Sequence, residues 1–334
     1  MQCVSVPYKA KGLLKNSHIQ SILSSSIWRK QSGLSRLVSV VAFNQVKILN
    51  LPDNTRLSGV HYVSKKPNSS RVLVLLLHGW EGSAQSSYIN HSAAELLGEG
   101  FDVFALNFRD HGQTHDLNEG IFHSCRLQEV VDAVKQVVKI YQPKRFFVAG
   151  FSLGGNFALR LALVAPQENL PIDAVFSICP PVDPSAVMRA LETGPPFYHW
   201  YFMKKWRGSL RRKRELFPQA HAFDDDILKR DMRGLTQWLV EQHTHWEHEE
   251  AYFSGYSVAG GHLSNLSIPT HILAAEDDPV IPIATLKNLQ VPDIARLEIS
   301  EHGGHCGFIE NWNLQGYSER WLKNGIIKAL VELQ

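Results

Sequence analysis

Arg145-Phe-Phe-Val-Ala-Gly150-Phe-Ser152-Leu-Gly154-Gly-Asn156 stands near the middle of the 334-residue chain. The stretch opens with apolar, β-forming residues and breaks into the pattern Gly-x-Ser-x-Gly. It continues over residues 157–164 with a pattern that is typical of a helix. A strand, a sharp turn and a helix are the context in which this pattern places a nucleophilic serine. The alternative is a glycine-rich turn with an incidental serine, and the flanking strand and helix favour the nucleophile.

Gly150 and Gly154 flank the serine where a tight turn leaves little room for side chains. Such a turn pushes the Ser152 hydroxyl out of the sheet, at the N-terminus of the following helix. The backbone N–H groups and the helix dipole at that end favour a developing negative charge. The stretch therefore predicts an exposed serine in a setting that suits nucleophilic catalysis.

The composition is that of a globular protein, with 44% apolar and 20% charged residues. A formal net charge of +2 gives no case for a nucleic-acid partner, and no cofactor is expected. The four cysteines stand far apart without a C-x-x-C pair, which predicts reduced thiols in a cytoplasmic protein. Neither a signal peptide nor a transmembrane helix is predicted, because no apolar run is long enough.

Short apolar runs alternate with amphipathic segments along most of the chain. The continuous apolar run at 71–77 is typical of a parallel strand that is buried on both faces. Further strands are predicted at 101–108, 145–149, 173–178, 270–275 and 296–299, and helices at 89–97, 127–138, 157–164 and 321–331. This alternation predicts an α/β fold with a mostly parallel central sheet flanked by helices.

Residues 1–70 are predicted to form an N-terminal extension ahead of this alternation. Its first 35 residues look irregular and polar. The segments 37–43, 46–49 and 57–63 are rich in β-forming residues and are predicted to enter the sheet as antiparallel strands.

The alternation stops at 183–266, where a helical lid is predicted after the sixth strand. This insertion divides the predicted core into a first part at 71–182 and a second part at 267–334. An aromatic segment at 197–206 is followed by a basic one at 207–214. Aromatic and cationic residues together could make transient contact with a membrane surface. The alternative, which we favour, is a lid helix with a solvated basic face.

Three predicted strand ends carry reactive side chains, and such ends meet at one edge of a parallel sheet. They hold Ser152, the pair Asp277 and Asp278, and the pair His302 and His305. A serine hydroxyl is a weak nucleophile and needs a base, and histidine suits that role near neutral pH. A carboxylate then orients the imidazole and stabilises its charged form. The chain therefore predicts a Ser-His-Asp triad.

Within each pair, one member is favoured by its loop. Asp278 opens the pattern D-x-x-x-P, which favours it as the acid, while Asp277 stays an alternative that could cap the turn. His305 lies among glycines that let its loop bring the ring over Ser152. His302 is nearer to the strand and could satisfy backbone groups instead. Cys306 beside the histidine is interpreted as structural rather than as a second nucleophile.

An oxyanion hole is predicted from two backbone N–H groups. Acyl transfer needs hydrogen-bond donors at the oxygen that becomes negative. The strand that ends at His78-Gly-Trp80 is expected to supply the N–H of Trp80, and the residue after the nucleophile supplies that of Leu153.

Two further histidine patterns compete with this interpretation. His111 and Asp116 form an H-x-x-x-x-D, which is associated with acyltransferases, but with 16 histidines a chance match is expected. His243, His245 and His248 in the lid have spacings that could bind a metal ion. They match no sharp zinc motif, so surface histidines are favoured and no metal site is predicted.

Several motifs resemble the YheT-like branch of the α/β-hydrolase superfamily. They are Asn16-Ser-His-Ile-Gln-Ser21, His78-Gly-Trp-Glu-Gly-Ser83, Asn107-Phe-Arg-Asp-His-Gly112, Phe122-His-Ser124, Gly150-Phe-Ser-Leu-Gly-Gly-Asn156 and Ala251-Tyr-Phe-Ser-Gly-Tyr-Ser257. The resemblance spans most of the chain. It implies an α/β-hydrolase fold and an acyl ester or thioester substrate.

The preferred hypothesis is a serine hydrolase that cleaves short- or medium-chain acyl esters, or acylglycerol-like lipids, through an acyl-enzyme. One alternative is an acyltransferase on the same triad, with an alcohol in place of water. A third hypothesis is a non-catalytic protein that uses the same fold to bind a lipid or another ligand.

Overall fold

The computed structural model describes residues 3–66 and 70–333. In this part of the chain nine strands form one sheet, in the spatial order β1-β9-β8-β7-β6-β4-β5-β3-β2. The strands are β1 Cys3–Ser5, β2 Val41–Asn50, β3 Arg56–Ser64, β4 Val72–Leu77, β5 Asp102–Asn107, β6 Arg145–Phe151, β7 Ala174–Ile178, β8 Thr270–Ala275 and β9 Ala295–Ser300. Strand β3 pairs antiparallel with β2 and β5, and every other pairing in this sheet is parallel.

The α-helices between and around these strands are numbered in chain order. They are α1 Ser17–Ser24, α2 Ile27–Val40, α3 Ser87–Gly98, α4 Leu127–Tyr141, α5 Leu153–Glu168, α6 Pro184–Thr193, α7 Pro196–Leu216, α8 Asp225–Lys229, α9 Met232–His243, α10 Glu249–Ser254, α11 Ile283–Lys287 and α12 Tyr317–Glu332. The predicted mostly parallel sheet flanked by helices is confirmed.

Strand β4 shows why the central strands are uniformly apolar. All six of its residues are buried. Leu73, Leu75 and Leu77 belong to the core cluster that contains residues of α4 and α5. Val74 and Leu76, which alternate with them, belong to the cluster on the other face, with residues of α3 and α12. Because both faces are covered by helices, neither face of the strand carries polar residues.

The N-terminal segment differs from the prediction. Residues 1–35 are not irregular throughout, because α1 and most of α2 lie there. Each helix starts at a residue whose side chain accepts backbone N–H groups, Asn16 for α1 and Ser26 for α2. The predicted strand at 37–43 is wrong in its first four residues, which end α2. Strand β2 then runs unbroken through Asn44, without the predicted interruption.

Five helices, α6 to α10, lie between β7 and β8. Strand β7 corresponds to the strand predicted at 173–178, and it is the seventh strand of the described chain because β1 was not predicted. Helices α8 and α9 of this insertion are separate, because Asp224 and Asp231 each cap a new helix start. The exact domain boundaries at 70, 182 and 266 stay a prediction.

No helix in the described part of the chain is both long and apolar enough to cross a membrane. Within this part, Cys125, Cys179 and Cys306 are free thiols, as predicted. The side chain of Cys3 lies outside the described residues.

Candidate active site

Ser152 lies at the sharp turn between β6 and α5. Its backbone takes φ 52° and ψ −122°, a strained conformation for a residue with a side chain. Its N–H donates to the Ile178 carbonyl at 2.8 Å, which holds the turn against β7. A Cβ at Gly150 would overlap the Gly154 carbonyl, and a Cβ at Gly154 would overlap that of Leu77. Both glycines are therefore required by close backbone packing, as the sequence predicted.

Gly150→Ala is expected to destabilise the fold by about 1–3 kcal/mol or more, because the added methyl group meets backbone rather than a movable side chain. Gly208→Ala in α7 is the matched control, since a Cβ there has no neighbour within 4 Å. The control is expected to gain up to about 1 kcal/mol from helix propensity. Urea unfolding followed by tryptophan fluorescence measures both. Equal stability of the two variants contradicts the packing argument.

His305 lies in hydrogen-bond contact with both Ser152 and Asp278. Its Nε2 is 2.9 Å from Ser152 Oγ, and its Nδ1 is 2.9 Å from Asp278 Oδ2. Ser152 follows β6, Asp278 follows β8 and His305 follows β9, so three strand ends converge as predicted. The other carboxylate oxygen of Asp278 accepts the N–H groups of Val280 at 2.8 Å and Ile281 at 3.0 Å. These bonds fix the carboxylate that faces the imidazole.

Asp277 and His302 form a separate pair. Asp277 Oδ1 accepts the Gly304 N–H at 2.8 Å, and its Oδ2 lies 3.5 Å from His302 Nδ1. Burial raises the pKa of Asp277. This pair braces the loop that carries His305, and neither member contacts Ser152.

Electrostatics around His305 favour its charged form. Burial opposes that form, but the Asp278 carboxylate and the Cys306 thiol outweigh it and raise the pKa of His305 to about 9. The imidazolium is thus stabilised before any substrate binds. A base that acts by taking a proton from Ser152 must be neutral, so its neutral fraction grows as the pH rises towards 9.

The backbone N–H groups of Trp80 and Leu153 have no acceptor among the described residues. Leu153 is the first residue of α5, where helix N–H groups lack partners. The loop that holds Trp80 is fixed by its neighbours. Tyr88 accepts the Gly79 N–H at 3.0 Å, and the buried ring of His78 bonds the Gly79 carbonyl at 2.7 Å. Both N–H groups are thus available, and an oxyanion hole at this place stays a prediction.

An apolar pocket lies on one side of Ser152. Leu153 lies at its base, and Trp80 and Phe202, whose rings stack 5.4 Å apart, line it as well. The helical insertion supplies most of the remaining wall, through Val187, Met188, Leu191, Trp206, Met232 and Leu239. Charged side chains do not line this pocket in the described part of the chain. The apolar pocket therefore suits an alkyl chain.

A second, more polar pocket is also lined by Ser152. Lys30, Glu81, Gln113 and Lys205 line it, together with backbone of the Trp80 loop. Lys205 Nζ donates to the Glu81 carbonyl oxygen at 3.0 Å. Burial raises the pKa of the Glu81 carboxyl to about 7. This pocket suits a polar or charged group that is attached to the same substrate.

The H-x-x-x-x-D pattern has a structural role. His111 is buried, its Nε2 accepts the Glu81 N–H at 3.1 Å, and its Nδ1 is 2.6 Å from the Arg109 carbonyl. Both ring nitrogens are therefore used to hold the loop around Glu81. Asp116 is exposed in a short 3₁₀ turn, so this motif does not form a second catalytic centre.

The lid histidines are not gathered into a metal site. His248 caps α10 by accepting the Ala251 N–H at 3.2 Å. His243 packs against the ring of His221 instead, with centroids 5.4 Å apart. Among the described residues, the one group of three possible ligand side chains lies elsewhere, at Cys179, His305 and Cys306.

The basic segment of the insertion is partly structural. Lys213 is buried and pairs with Asp110 at 2.6 Å, and it also donates to the Asn118 carbonyl. Arg214 pairs with Asp225 at 2.8 Å. One ion pair to the core and one within the insertion thus neutralise part of the positive charge that was predicted to be solvated.

Sequence reasoning missed the contact between the N-terminal helix α1 and the histidine loop. Ser21 Oγ accepts the His305 N–H at 2.8 Å. Gln20 is fully buried, donates to the Ile309 carbonyl and accepts the Ile309 N–H. The motif Asn16-Ser-His-Ile-Gln-Ser21 was the available signal, but its partner lies more than 280 residues away in the sequence. These bonds fix the backbone on both sides of His305.

The chain is similar in sequence to several known proteins. A family model for the α/β hydrolase fold matches residues 72–311. The Escherichia coli protein YheT, which is named as an esterase, is 24% identical over 76% of this chain and 74% of its own length. The Bos taurus phospholipase ABHD3 is 27% identical over 81% of this chain, and the alignment spans 66% of that protein.

Solved structures show the same fold. An esterase from Pyrococcus furiosus superposes with a TM-score of 0.56 at 18% identity, over 88% of this chain and 94% of that chain. An esterase from Pyrobaculum calidifontis gives a TM-score of 0.58 at 18% identity, over 97% of this chain and 99% of that chain.

Proposed function

Because the chain belongs to the α/β-hydrolase fold family, we propose that it is a carboxylic-ester hydrolase that works through an acyl-enzyme at Ser152. The observation that carries the proposal is the hydrogen-bonded chain from Ser152 through His305 to Asp278, beside an apolar pocket. The resemblance to the YheT-like branch agrees with relatives named as an esterase and as a phospholipase. These names support ester cleavage by this chain.

The first half of the reaction forms the acyl-enzyme. Ser152 Oγ attacks the ester carbonyl carbon while His305 Nε2 takes the hydroxyl proton. The carbonyl oxygen becomes an oxyanion, to which the N–H groups of Trp80 and Leu153 donate. As the carbon–oxygen bond to the alcohol breaks, His305 gives its proton to the departing alcohol. Asp278 stabilises the imidazolium between these two proton transfers.

The second half of the reaction frees the enzyme. Water attacks the acyl carbon and gives a proton to His305, which then returns it to Ser152 as the bond to the acyl group breaks. The products are a carboxylic acid and the free enzyme.

The two pockets divide the substrate between them. The apolar pocket takes the acyl chain, since it is lined by aliphatic and aromatic side chains. The polar pocket takes the alcohol portion, with Lys30 and Lys205 available to a negative group on it. Short- and medium-chain acyl esters and acylglycerol-like lipids fit this division. The polar pocket is lined by Ser152 as well, which gives water access to an acyl-enzyme.

Transient contact of the insertion with a lipid surface stays part of the proposal. Phe197 and Trp200 of α7 are exposed by 39% and 59% and line a groove that also reaches His305. Aromatic side chains at such a rim favour the interface between water and lipid. A cytoplasmic location stays a prediction from the cysteine pattern.

A fluorophosphonate probe tests the proposed function directly. Ser152 Oγ attacks phosphorus, fluoride leaves, and the stable phosphonyl ester is located by mass spectrometry of the peptides. We expect the folded wild type to be modified at Ser152, and Ser152→Ala and heat-unfolded wild type to stay unmodified. Folded wild type that resists the probe overturns the proposal and favours the ligand-binding hypothesis.

Val187→Phe is expected to shorten the acyl chains that the enzyme accepts, because Val187 lines the apolar pocket. The ratio of kcat/KM for p-nitrophenyl octanoate over acetate should fall at least about tenfold, as steric discrimination in such pockets typically allows. Val331→Phe, at an exposed position of α12, adds the same ring away from the pocket and should keep the wild-type ratio. An unchanged ratio in Val187→Phe places the acyl chain elsewhere.

A further inference from the structure

Two cysteines lie directly against the histidine of the proposed triad. Cys179 follows β7, and Cys306 follows His305 in the histidine loop. The two sulfur atoms and one ring nitrogen of His305 all lie within 4.8 Å of one another. Both thiols are free and buried, with exposures of 1% for Cys179 and 4% for Cys306. The proposed ester hydrolysis uses neither sulfur.

We propose that Cys179, Cys306 and His305 form a binding site for Zn²⁺ or a similar thiophilic divalent cation, and that an ion bound there blocks the active site. The first part rests on the cluster alone. The second part, the inhibition, rests on the proposed function.

The ligand set fits this cation. Two cysteines and one histidine, with a fourth position open, are a known zinc coordination set. Bond lengths of about 2.3 Å to sulfur and 2.0 Å to nitrogen place tetrahedral ligand atoms about 3.5–3.8 Å apart. The three atoms, which lie within 4.8 Å of one another, therefore need to approach each other by up to about 1.3 Å.

The surroundings of His305 already orient it as a metal ligand. A ligating histidine usually donates its second ring N–H to a carboxylate, which fixes the ring. Asp278 faces Nδ1 at 2.9 Å and so leaves Nε2 for the ion. Nε2 is also the atom that contacts Ser152 Oγ. An ion on Nε2 thus removes the base from the nucleophile. The two thiol protons, and the Nε2 proton of a charged His305, pass to solvent as the three ligands bind.

The ion has a route to the cluster. His305 and Cys306 line the polar pocket, next to Ser152. Cys179 does not line this pocket, and it is less exposed than Cys306. A cation can therefore meet His305 and Cys306 from this pocket and take Cys179 as its third ligand. Hard cations such as Mg²⁺ prefer oxygen ligands and are not expected to bind here.

Co²⁺ is a suitable probe because its colour reports its ligands. The reduced, metal-free chain is titrated with Co²⁺ under argon, and Zn²⁺ is then added to displace it. We expect one equivalent of Co²⁺ to give sulfur-to-cobalt charge-transfer absorption and the visible bands of a tetrahedral ion. Competition with a chromophoric chelator gives the Zn²⁺ affinity. Absence of the charge-transfer absorption in the wild type overturns the site.

Variants assign the ligands. Cys179→Ser and Cys306→Ser should each weaken Zn²⁺ binding by more than about tenfold, because even second-shell changes cost that much. His305→Gln should weaken Zn²⁺ binding but keep the thiolate absorption. Because the His305 side chain is partly exposed, this variant should fold even if Cys179→Ser or Cys306→Ser does not. Cys125→Ser is the matched control, since Cys125 contacts Tyr252 and lies outside the cluster. Wild-type Zn²⁺ affinity in Cys179→Ser and Cys306→Ser overturns the proposal.

Inhibition is measured separately from binding. If the proposed function holds, Zn²⁺ slows hydrolysis of p-nitrophenyl butyrate with a midpoint that matches its binding constant, and a chelator restores the rate. Thiolate–cobalt absorption without any esterase activity supports the metal site and counts against the proposed function. Esterase activity that Zn²⁺ leaves unchanged, at concentrations that saturate the site, overturns the inhibitory role.

Discussion

Ser152→Ala is expected to lower the rate of p-nitrophenyl ester hydrolysis by about 10⁴- to 10⁶-fold, the range seen when a serine hydrolase loses its nucleophile. The variant removes only the Oγ atom that lies 2.9 Å from His305 Nε2. The turn is held by the backbone bond from the Ser152 N–H to the Ile178 carbonyl, which alanine keeps. The fold and the pockets should therefore survive, and the loss should appear in kcat.

Ser264→Ala is the control for this experiment. Ser264 is exposed and donates only to the Gly261 carbonyl within its own turn. Its replacement should leave the rate within about twofold of the wild type, as is usual for surface positions. If the activity came from a contaminating esterase instead, Ser152→Ala and Ser264→Ala would hydrolyse the ester at the same rate. Hydrolysis by Ser152→Ala at a tenth of the wild-type rate or more would falsify the assignment of Ser152 as the nucleophile.

The core of the fold follows from local patterns. Strands β4 and β8 lie almost where the apolar runs placed them, because strands buried on both faces contain little besides apolar residues. The order of Ser152, Asp278 and His305 along the chain was equally informative. Each ends a parallel strand, and such ends meet at one edge of the sheet whatever lies between them.

The N-terminal helices could not be found in the same way. Apolar periodicity assumes that buried positions are apolar, but α1 and α2 bury Gln20 and Arg29 completely. Gln20 is satisfied by Ile309, and Arg29 pairs with Glu319, both at the far end of the chain. A sequence pattern carries no record of such distant partners. The same limit applies to Lys213, whose burial depends on Asp110.

The sequence left both Asp277 and Asp278 as possible acids of the triad. The geometry of the structure favours Asp278. Both residues follow β8, and both carboxylates accept backbone N–H groups. They differ in the groups that their carboxylates face. Asp278 faces His305, and Asp277 faces the backbone of the histidine loop.

Asp278→Asn is therefore expected to lower kcat by about 10⁴-fold, the effect of replacing the acid of such a triad by its amide. The carboxamide cannot stabilise the imidazolium, and its N–H₂ group can force the wrong tautomer of His305. Asp277→Asn is the matched control. Its amide oxygen still accepts the Gly304 N–H, so its rate should stay within about tenfold of the wild type.

The pH profile separates the role of Asp278 from a merely structural one. The carboxylate helps to raise the pKa of His305 to about 9 in the free enzyme. Since His305 must be neutral to accept the Ser152 proton, kcat/KM of the wild type should rise with pH and level off near pH 9. Without the carboxylate the pKa of His305 falls, so the residual activity of Asp278→Asn should level off at lower pH. Asp277→Asn should keep the wild-type profile.

The opposite result would make Asp277 the acid of the triad. In that case Asp277→Asn would show both a large loss of kcat and a shifted pH profile, because only the carboxylate that faces the imidazole can change the rate and the profile together.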